Sequence, residues 1–143
     1  MPTDYTNPWT YKGIEVDSEM LSGYFGFVYL ITVKETGQKY IGRKYIWRRK
    51  KEKGKSRRKR VESDWKSYYS SHEGLKQIGK ETPGRLQREI LHLCRGEGET
   101  NFLEIEEQFK RDVLYSDEYL NDQINGKWFK KNVQGRYRNN DVH

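Results

Sequence analysis

The sequence predicts a small α/β (α+β) domain in which a three-stranded antiparallel or mixed sheet is flanked by helices. Three observations carry this. Gly26 to Lys44 is dense in β-branched and aromatic residues and turns back on itself once. Leu86–Cys94 is a second apolar run of strand length. Between and after these runs lie segments whose apolar residues recur at helical spacing. The 143 residues suit a single domain over 1–143, with an N-terminal arm (1–22) and a basic, aromatic tail (123–143).

Taken in order, the opening stretch contains Pro2, Pro8 and a Lys12-Gly13 turn, so it is expected to be irregular, anchored by Trp9 and Tyr11. Next, Phe25, Phe27, Tyr29, Ile31 and Val33 alternate with Tyr24, Gly26, Val28, Leu30 and Thr32. Both sets are largely apolar, which predicts a strand covered on both faces. Glu35-Thr36-Gly37-Gln38 makes the turn, with Gly37 free to take positive φ. Lys39 to about Lys44 returns as the second strand. Residues 47–60 are too polar to define a buried face, so the expectation is a helix over Tyr45–Lys51 followed by a loop around Gly54.

Ser63-Asp64-Trp65 has the pattern of a helix start, capped by Ser63 or Asp64. Leu75 and Ile78 predict a short helix within Ser70–Lys80, closed by Gly79 and Pro83-Gly84. Leu86–Cys94 is the third strand. Thr100 is expected to cap the last helix, which runs to about Leu114 with Phe102, Ile105, Phe109 and Val113 along one face. Tyr119–Asn121 forms a turn. The tail from Asn125 holds Trp128, Phe129 and five Lys/Arg, which suits an arm better than a core element.

Charge is distributed unevenly. The net charge is +7, yet Arg43–Arg60 holds twelve Lys/Arg against the single acid Glu52, while Glu97–Asp122 holds nine acids against Lys110 and Arg111. A concentrated cationic patch attracts a polyanion and releases its counterions on binding; the plainer reading is a solvated loop. There is no apolar run of membrane-spanning length, and the first residues lack the pattern of a signal peptide. Cys94 is the lone cysteine, which excludes an internal disulfide and a cysteine-based zinc site and suits a cytoplasmic setting.

Phe27-Val28-Tyr29 and Tyr40-Ile41-Gly42, with Tyr40 eleven positions after Tyr29, resemble the paired motifs of the GIY-YIG nuclease family. Asn7-Pro8-Trp9-Thr10-Tyr11, Glu62-Ser63-Asp64-Trp65, Tyr69-Ser70-Ser71 and Leu103-Glu104 with Gln108-Phe109 extend the resemblance to small phage proteins of the Seg type, akin to homing endonucleases. The resemblance implies a GIY-YIG-like fold and a phage-encoded, metal-dependent endonuclease acting on double-stranded DNA in the host cytoplasm. It implies Mg²⁺ or Mn²⁺ as cofactor, and 5′-phosphate and 3′-hydroxyl ends as products. Two features depart from the family pattern: Phe27 stands where Gly is usual, and Lys50 where the family's Arg usually sits.

The implied catalytic set is Tyr29, Tyr40, Arg43, Lys44, Arg49 and Glu104. Tyr29 would orient or deprotonate the attacking water, helped by nearby cations that favour phenolate. Tyr40 would hydrogen-bond the water or the phosphate. An arginine from residues 43–49 would clamp the phosphate, where its planar fork outperforms a lysine. Glu104 would hold the metal, with Glu106 and Glu107 as competitors; Glu106 has the better helical-face argument and Glu104 the better motif match. DNA contacts are expected from Arg48, Lys50, Lys51, Arg57, Arg58, Lys59, Arg60, Trp65, Asn121, Lys130 and Lys131. His72 and His92 are weaker candidates for a general base. The acidic Glu97–Asp122 segment could meet another copy's basic stretch and give a homodimer. A protein that kept the fold and bound nucleic acid without cutting it is the competing reading; it leaves the combined Tyr, Tyr, basic and Glu pattern unexplained.

Overall fold

The computed structural model describes residues 4–51, 53–54 and 58–136. Two short strands, β1 (Thr10–Tyr11) and β2 (Ile14–Glu15), and a one-turn helix α1 (Ser18–Leu21) come first. The main hairpin follows as β3 (Gly26–Val33) and β4 (Lys39–Tyr45), then a second hairpin as β5 (Trp47–Lys51) and β6 (Arg58–Glu62). A 3-10 turn at Trp65–Ser67 leads to α2 (Glu73–Glu81), and another at Pro83–Arg85 leads to β7 (Leu86–Cys94). The chain ends in α3 (Glu97–Lys110), the short strands β8 (Gln123–Ile124) and β9 (Trp128–Phe129), and α4 (Lys130–Arg136).

The fold is mixed α/β, and its central sheet has five strands in the order β2-β1-β7-β3-β4, not the three expected. The additional strands come from the opening stretch, where β1 pairs in parallel with β7 through Thr10↔Glu89 and Tyr11↔Ile90. They are two residues long, too short to leave a periodic trace in the sequence.

β3 is the middle of the molecule, paired antiparallel to β4 on one side and to β7 on the other. Its alternation divides the core in two. Phe27, Tyr29, Ile31 and Val33 pack with Trp9, Val16, Leu21, Trp65, Tyr69 and Leu75, while Val28 and Leu30 pack with Ile41, Val113, Leu114, Tyr119, Ile124 and Val133. The expectation of a strand covered on both faces therefore holds. The tail is more than an arm, since Ile124 and Val133 belong to the second cluster.

Three local expectations differ. Residues 47–51 form a strand, because Trp47 pairs opposite Glu62 in a hairpin with no need of a buried helical face. α3 starts at Glu97 with Gly96 as its cap; Thr100 lies buried inside the helix, and its hydroxyl donates back to the Gly96 carbonyl at 2.7 Å. The helix is also rotated from the expected face. Phe102 and Phe109 are 64% and 45% exposed, while Thr100, Glu107 and Gln108 are buried. Each inward polar side chain has a partner: Gln108 donates to the Ile41 carbonyl of β4, Glu107 bonds His92 and Arg111, and Thr100 donates to the Gly96 carbonyl.

One buried cation ties the opening stretch to the sheet. Arg88 on β7 is 1% exposed, and its guanidinium donates to the carbonyls of Thr6, Asn7 and Tyr68. It lies 4.7 Å from the Trp9 ring and 4.2 Å from the Tyr69 ring. Burial lowers its pKa to about 10. Carbonyl dipoles and ring faces stand in for a carboxylate partner. The bond to Tyr68 also fixes the segment that leads into one wall of the site described next.

Candidate active site

β4 is the edge of the sheet, and an unpaired edge is an aggregation hazard that must be covered. Here the Asn121 side chain covers it. Its Oδ1 accepts from the Ile41 N–H at 3.0 Å and its Nδ2 donates to the Ile41 carbonyl at 2.8 Å. Gln108 donates to the same carbonyl at 3.1 Å. Further along, Lys39 N–H donates to Glu118 O and Leu120 N–H to Lys39 O. Asn121 is 2% exposed with its amide committed to Ile41. It therefore positions the strand and is not available to DNA.

The edge borders a cleft of about 670 Å³ lined by Tyr40, Arg43, His72, Glu104 and Gln108, among others. Arg43 comes from β4 and Glu104 from α3, and they form an ion pair with Nη1 to Oε1 at 2.6 Å. The Glu104 side chain is only 12% exposed. Burial raises its pKa, opposed by the charge and hydrogen bonds of Arg43, including the Arg43 backbone amide. Glu106 on the same helix is exposed. Glu107 is held away from the cleft by His92 at 2.9 Å and Arg111 at 2.8 Å. Of the three competing carboxylates, Glu104 alone lines this cleft.

Tyr40 forms the opposite wall. Its hydroxyl is 3.2 Å from Ser71 Oγ, and its ring lies 5.9 Å from the His72 ring. The wall is aimed by a tight turn at Ser70, whose φ of 80° is rare for a residue with a side chain. Ser70 Oγ accepts from the His72 amide at 3.1 Å. His72 in turn caps α2, its Nδ1 accepting from the Leu75 amide at 3.3 Å. That bond leaves Nε2 as the protonated nitrogen of a neutral ring, so His72 is suited to donate and not to act as a base.

Tyr29 is elsewhere than expected. It stands opposite Gly42 in the hairpin, 1% exposed, beneath the cleft and not on its lining. A Cβ at Gly42 would run into the Tyr29 hydroxyl, which is the physical reason for a glycine at the end of the second motif. The Tyr29 and Tyr40 rings stack at 6.4 Å with 25° between planes. Tyr29 is also hydrogen-bonded to Tyr68, with ring centroids 5.9 Å apart. Burial pushes its phenol well above the usual value, and neighbouring Tyr68 and Tyr40 push the same way. The expected help from cations is absent: Arg43 is held by Glu104, and Lys44 is paired with Asp64 at 2.5 Å above the Tyr68 ring. Tyr29 is a neutral phenol that supports Tyr40.

The family model described as "Putative endonuclease segE, GIY-YIG domain" matches residues 9–124. The chain belongs to this GIY-YIG family. No curated protein and no solved structure gives a match. The matched span begins at the buried Trp9 and ends at Ile124, so it takes in the whole central sheet and every residue of the cleft named above. The GIY-YIG assignment makes the chain a nuclease-family protein.

Other expected residues fall into three groups. Arg48, Arg49 and Lys50 are exposed on β5, with Arg49 opposite Arg60, and none of them lines the cleft. Arg49 is thus not beside Glu104, and the cleft arginine is Arg43, directly after the second motif. Lys51, Arg58 and Lys59 occupy the same hairpin, while Arg57 lies outside the described residues. Trp65 is fully buried, with its Nε1 donating to Glu62, so it has no face for a base. Lys130 donates to the carbonyls of Ser116 and Tyr119 and serves the fold, whereas Lys131 is exposed. Ser71 and Gln108 are cleft residues given no role from the sequence, although both lie in segments that carry the resemblance. Gln108 has a further signal, sitting four residues after Glu104 and hence on its helical face.

The cleft's carboxylates are the groups that could hold a metal. Among the described residues no group of three or more His, Cys, Asp or Glu is placed to hold a metal, so a closed protein cage is not what the geometry offers. It offers one sheltered carboxylate, Glu104, with Glu73 and Asp122 also on the lining. A small cation that retains several waters needs one or two carboxylates and no more. No helix of the described residues is long and apolar enough to cross a membrane.

Proposed function

We propose that this chain is a Mg²⁺- or Mn²⁺-dependent endodeoxyribonuclease that cuts double-stranded DNA to 5′-phosphate and 3′-hydroxyl ends, as a phage-encoded enzyme of the homing type would. One observation supports the reading above the others: Tyr40, Arg43 and Glu104 come from two elements distant in sequence and meet in one cleft. An ion pair that served the fold alone would not need a partly exposed guanidinium on the lining of a polar cleft.

Glu104 would hold the cation. The cation there would supply charge neutralisation at the reacting phosphate and at the leaving 3′ oxygen. The Arg43 guanidinium, 41% exposed on its side chain, turns from Glu104 to the scissile phosphate and holds two of its oxygens through its planar fork. The Tyr40 hydroxyl, released from Ser71, orients the attacking water. Ser71 and the His72 Nε2–H donate to phosphate oxygens from the same wall. Tyr29 does not touch the reacting atoms; it fixes the Tyr40 ring from below.

The test is nicking of supercoiled plasmid at low salt, with Mg²⁺ or EDTA, by wild type, Tyr40→Phe, Tyr29→Phe and Glu104→Ala. Cleavage should require the cation and be lost in Glu104→Ala, and Tyr40→Phe should be slower than Tyr29→Phe. A wild type that binds the plasmid yet never nicks it sinks the proposal in favour of a binding protein that kept the fold.

A further inference from the structure

The second hairpin is left over by the cleft. Its base is firmly held. Ile46, between β4 and β5, is 1% exposed and donates its amide to Phe25 O at 2.8 Å. Trp47 Nε1 donates to Tyr24 O at 3.0 Å, and Ser63 Oγ donates to Tyr45 O at 2.7 Å. The Glu62 carboxylate accepts from Ser18 and Trp65, each at 2.7 Å. Above this base the pairing changes character. Arg49 stands opposite Arg60, Lys50 opposite Lys59, and Lys51 opposite Arg58. Like charges directly opposite one another destabilise a ladder, and here three such pairs follow in succession. Anionic partners would offset this repulsion.

The placement of the cations says what would. Successive strand residues point to opposite faces. Trp47, Arg49 and Arg60 share one face, with the Arg60 guanidinium 4.2 Å over the Trp47 ring. Arg48 and Lys50 take the other face, and all four cations are exposed. A ribbon resting on one phosphate strand or on an acidic protein surface would need cations on one face only. Cations on both faces match a site walled by anions on two sides, as in the groove of a duplex. The major groove of B-form DNA, roughly 12 Å wide, admits a two-stranded ribbon, whereas that of A-form RNA is deep and narrow.

We infer that β5–β6 inserts into the major groove of duplex DNA, with its two basic faces meeting phosphates of the two opposite strands. The inference rests on the reading of the chain as a DNA enzyme, but it concerns a surface outside the cleft. β5 continues directly from β4, which carries Tyr40 and Arg43. A ribbon seated in the groove therefore fixes which phosphate is presented to those residues, and the hairpin acts as the ruler of the enzyme.

Binding is measured in EDTA, where no cleavage intervenes, by fluorescence anisotropy of the full chain with a short DNA duplex, its single strand and the matching RNA duplex. The variants are R48Q/K50Q on one face and R49Q/R60Q on the other. Each should weaken duplex binding and lower the slope of log affinity against log salt by about 1.8, the loss of two phosphate contacts. Bulky groups on thymine C5, which project into the major groove, should block binding, while a minor-groove ligand should not. Melting temperatures close to or above wild type would establish that both variants fold. The inference is overturned if only one face matters, if RNA duplex binds equally well, or if the C5-modified duplex binds normally. A chain that binds in this way but never nicks DNA keeps the ribbon and loses the nuclease; one that nicks while both variants bind like wild type does the reverse.

Discussion

The molecule contains two consecutive hairpins built on opposite principles. β3–β4 is apolar, covered on both faces by separate clusters, and capped along its outer edge by Asn121 and Gln108. β5–β6 grows out of the same strand but is basic on both faces and carries like-charged pairs. The first is held by burial and satisfied backbone groups, so its geometry survives without a ligand. The second is tied to the body at its base through Trp47, Glu62 and Ser63. The candidate catalytic residues Tyr40 and Arg43 sit on the first hairpin, and the proposed duplex grip sits on the second.

The sharpest way to test this division is at its boundary. Glu104→Ala should lower cleavage by about 10²–10³-fold while leaving duplex binding intact, since removing one group that stabilises developing charge costs roughly that much. Parallel nicking and anisotropy measurements check it, and a matched loss of binding would collapse the two regions into one. Next in size is Gly42→Ala. Its new Cβ meets the Tyr29 hydroxyl, so the variant should lose about 1–3 kcal/mol in urea unfolding. Gly23→Ala, where a Cβ meets nothing within 4 Å, should be nearly neutral.

Asn121→Ala strips the edge cap and should cost about 1–3 kcal/mol, the penalty for leaving buried partners unmade. Asn121→Asp should fare little better, because a carboxylate accepts from the Ile41 amide but cannot donate to its carbonyl. Titration of Glu104 gives a smaller effect. Its pKa is raised by burial, so its contribution to stability is fully present below the ordinary carboxylate value and is lost as pH rises through the folded one. Glu104→Gln, which mimics the protonated form, should therefore melt slightly higher than wild type at neutral pH, with the gap closing as pH falls. Cleavage, which on this proposal needs the ionised carboxylate, should fail on the acid side at a higher pH than an unburied glutamate would set. Smallest is Arg49→Glu. It replaces a like-charged pair with an opposite one facing Arg60 and should stabilise the hairpin by about 0.2–1 kcal/mol while weakening duplex binding.

Much of this was legible before the fold was known. The β3–β4 hairpin announces itself because burial on both faces forces apolar residues at every position. The paired motifs follow from their order along the chain, which also puts Arg43 and Glu104 among the candidates. The β5–β6 hairpin was invisible because a ribbon without a buried face has no apolar alternation to detect, so its polar residues suggested a helix and a loop. The face of α3 was misjudged for a related reason: Phe102 and Phe109 are the helix's large apolar residues, yet the helix is docked by Gln108 and Glu104 bonding an edge strand. Phe109 finds Trp128 of β9 instead, at 5.1 Å.

The sequence by itself determined the family, the central hairpin and the residue types that any phosphodiester chemistry here would use. These are local patterns, written in alternation and spacing. Tertiary structure alone decided which tyrosine opens on the cleft, which carboxylate of Glu104, Glu106 and Glu107 enters it, and which arginine meets that carboxylate. Those choices depend on how α3 is rotated against the free edge of β4 and on how deeply Tyr29 is buried under Gly42 and Tyr40. Both rest on tertiary contacts, Gln108 with Ile41 and Tyr29 with Tyr68 among them, where no spacing rule reaches.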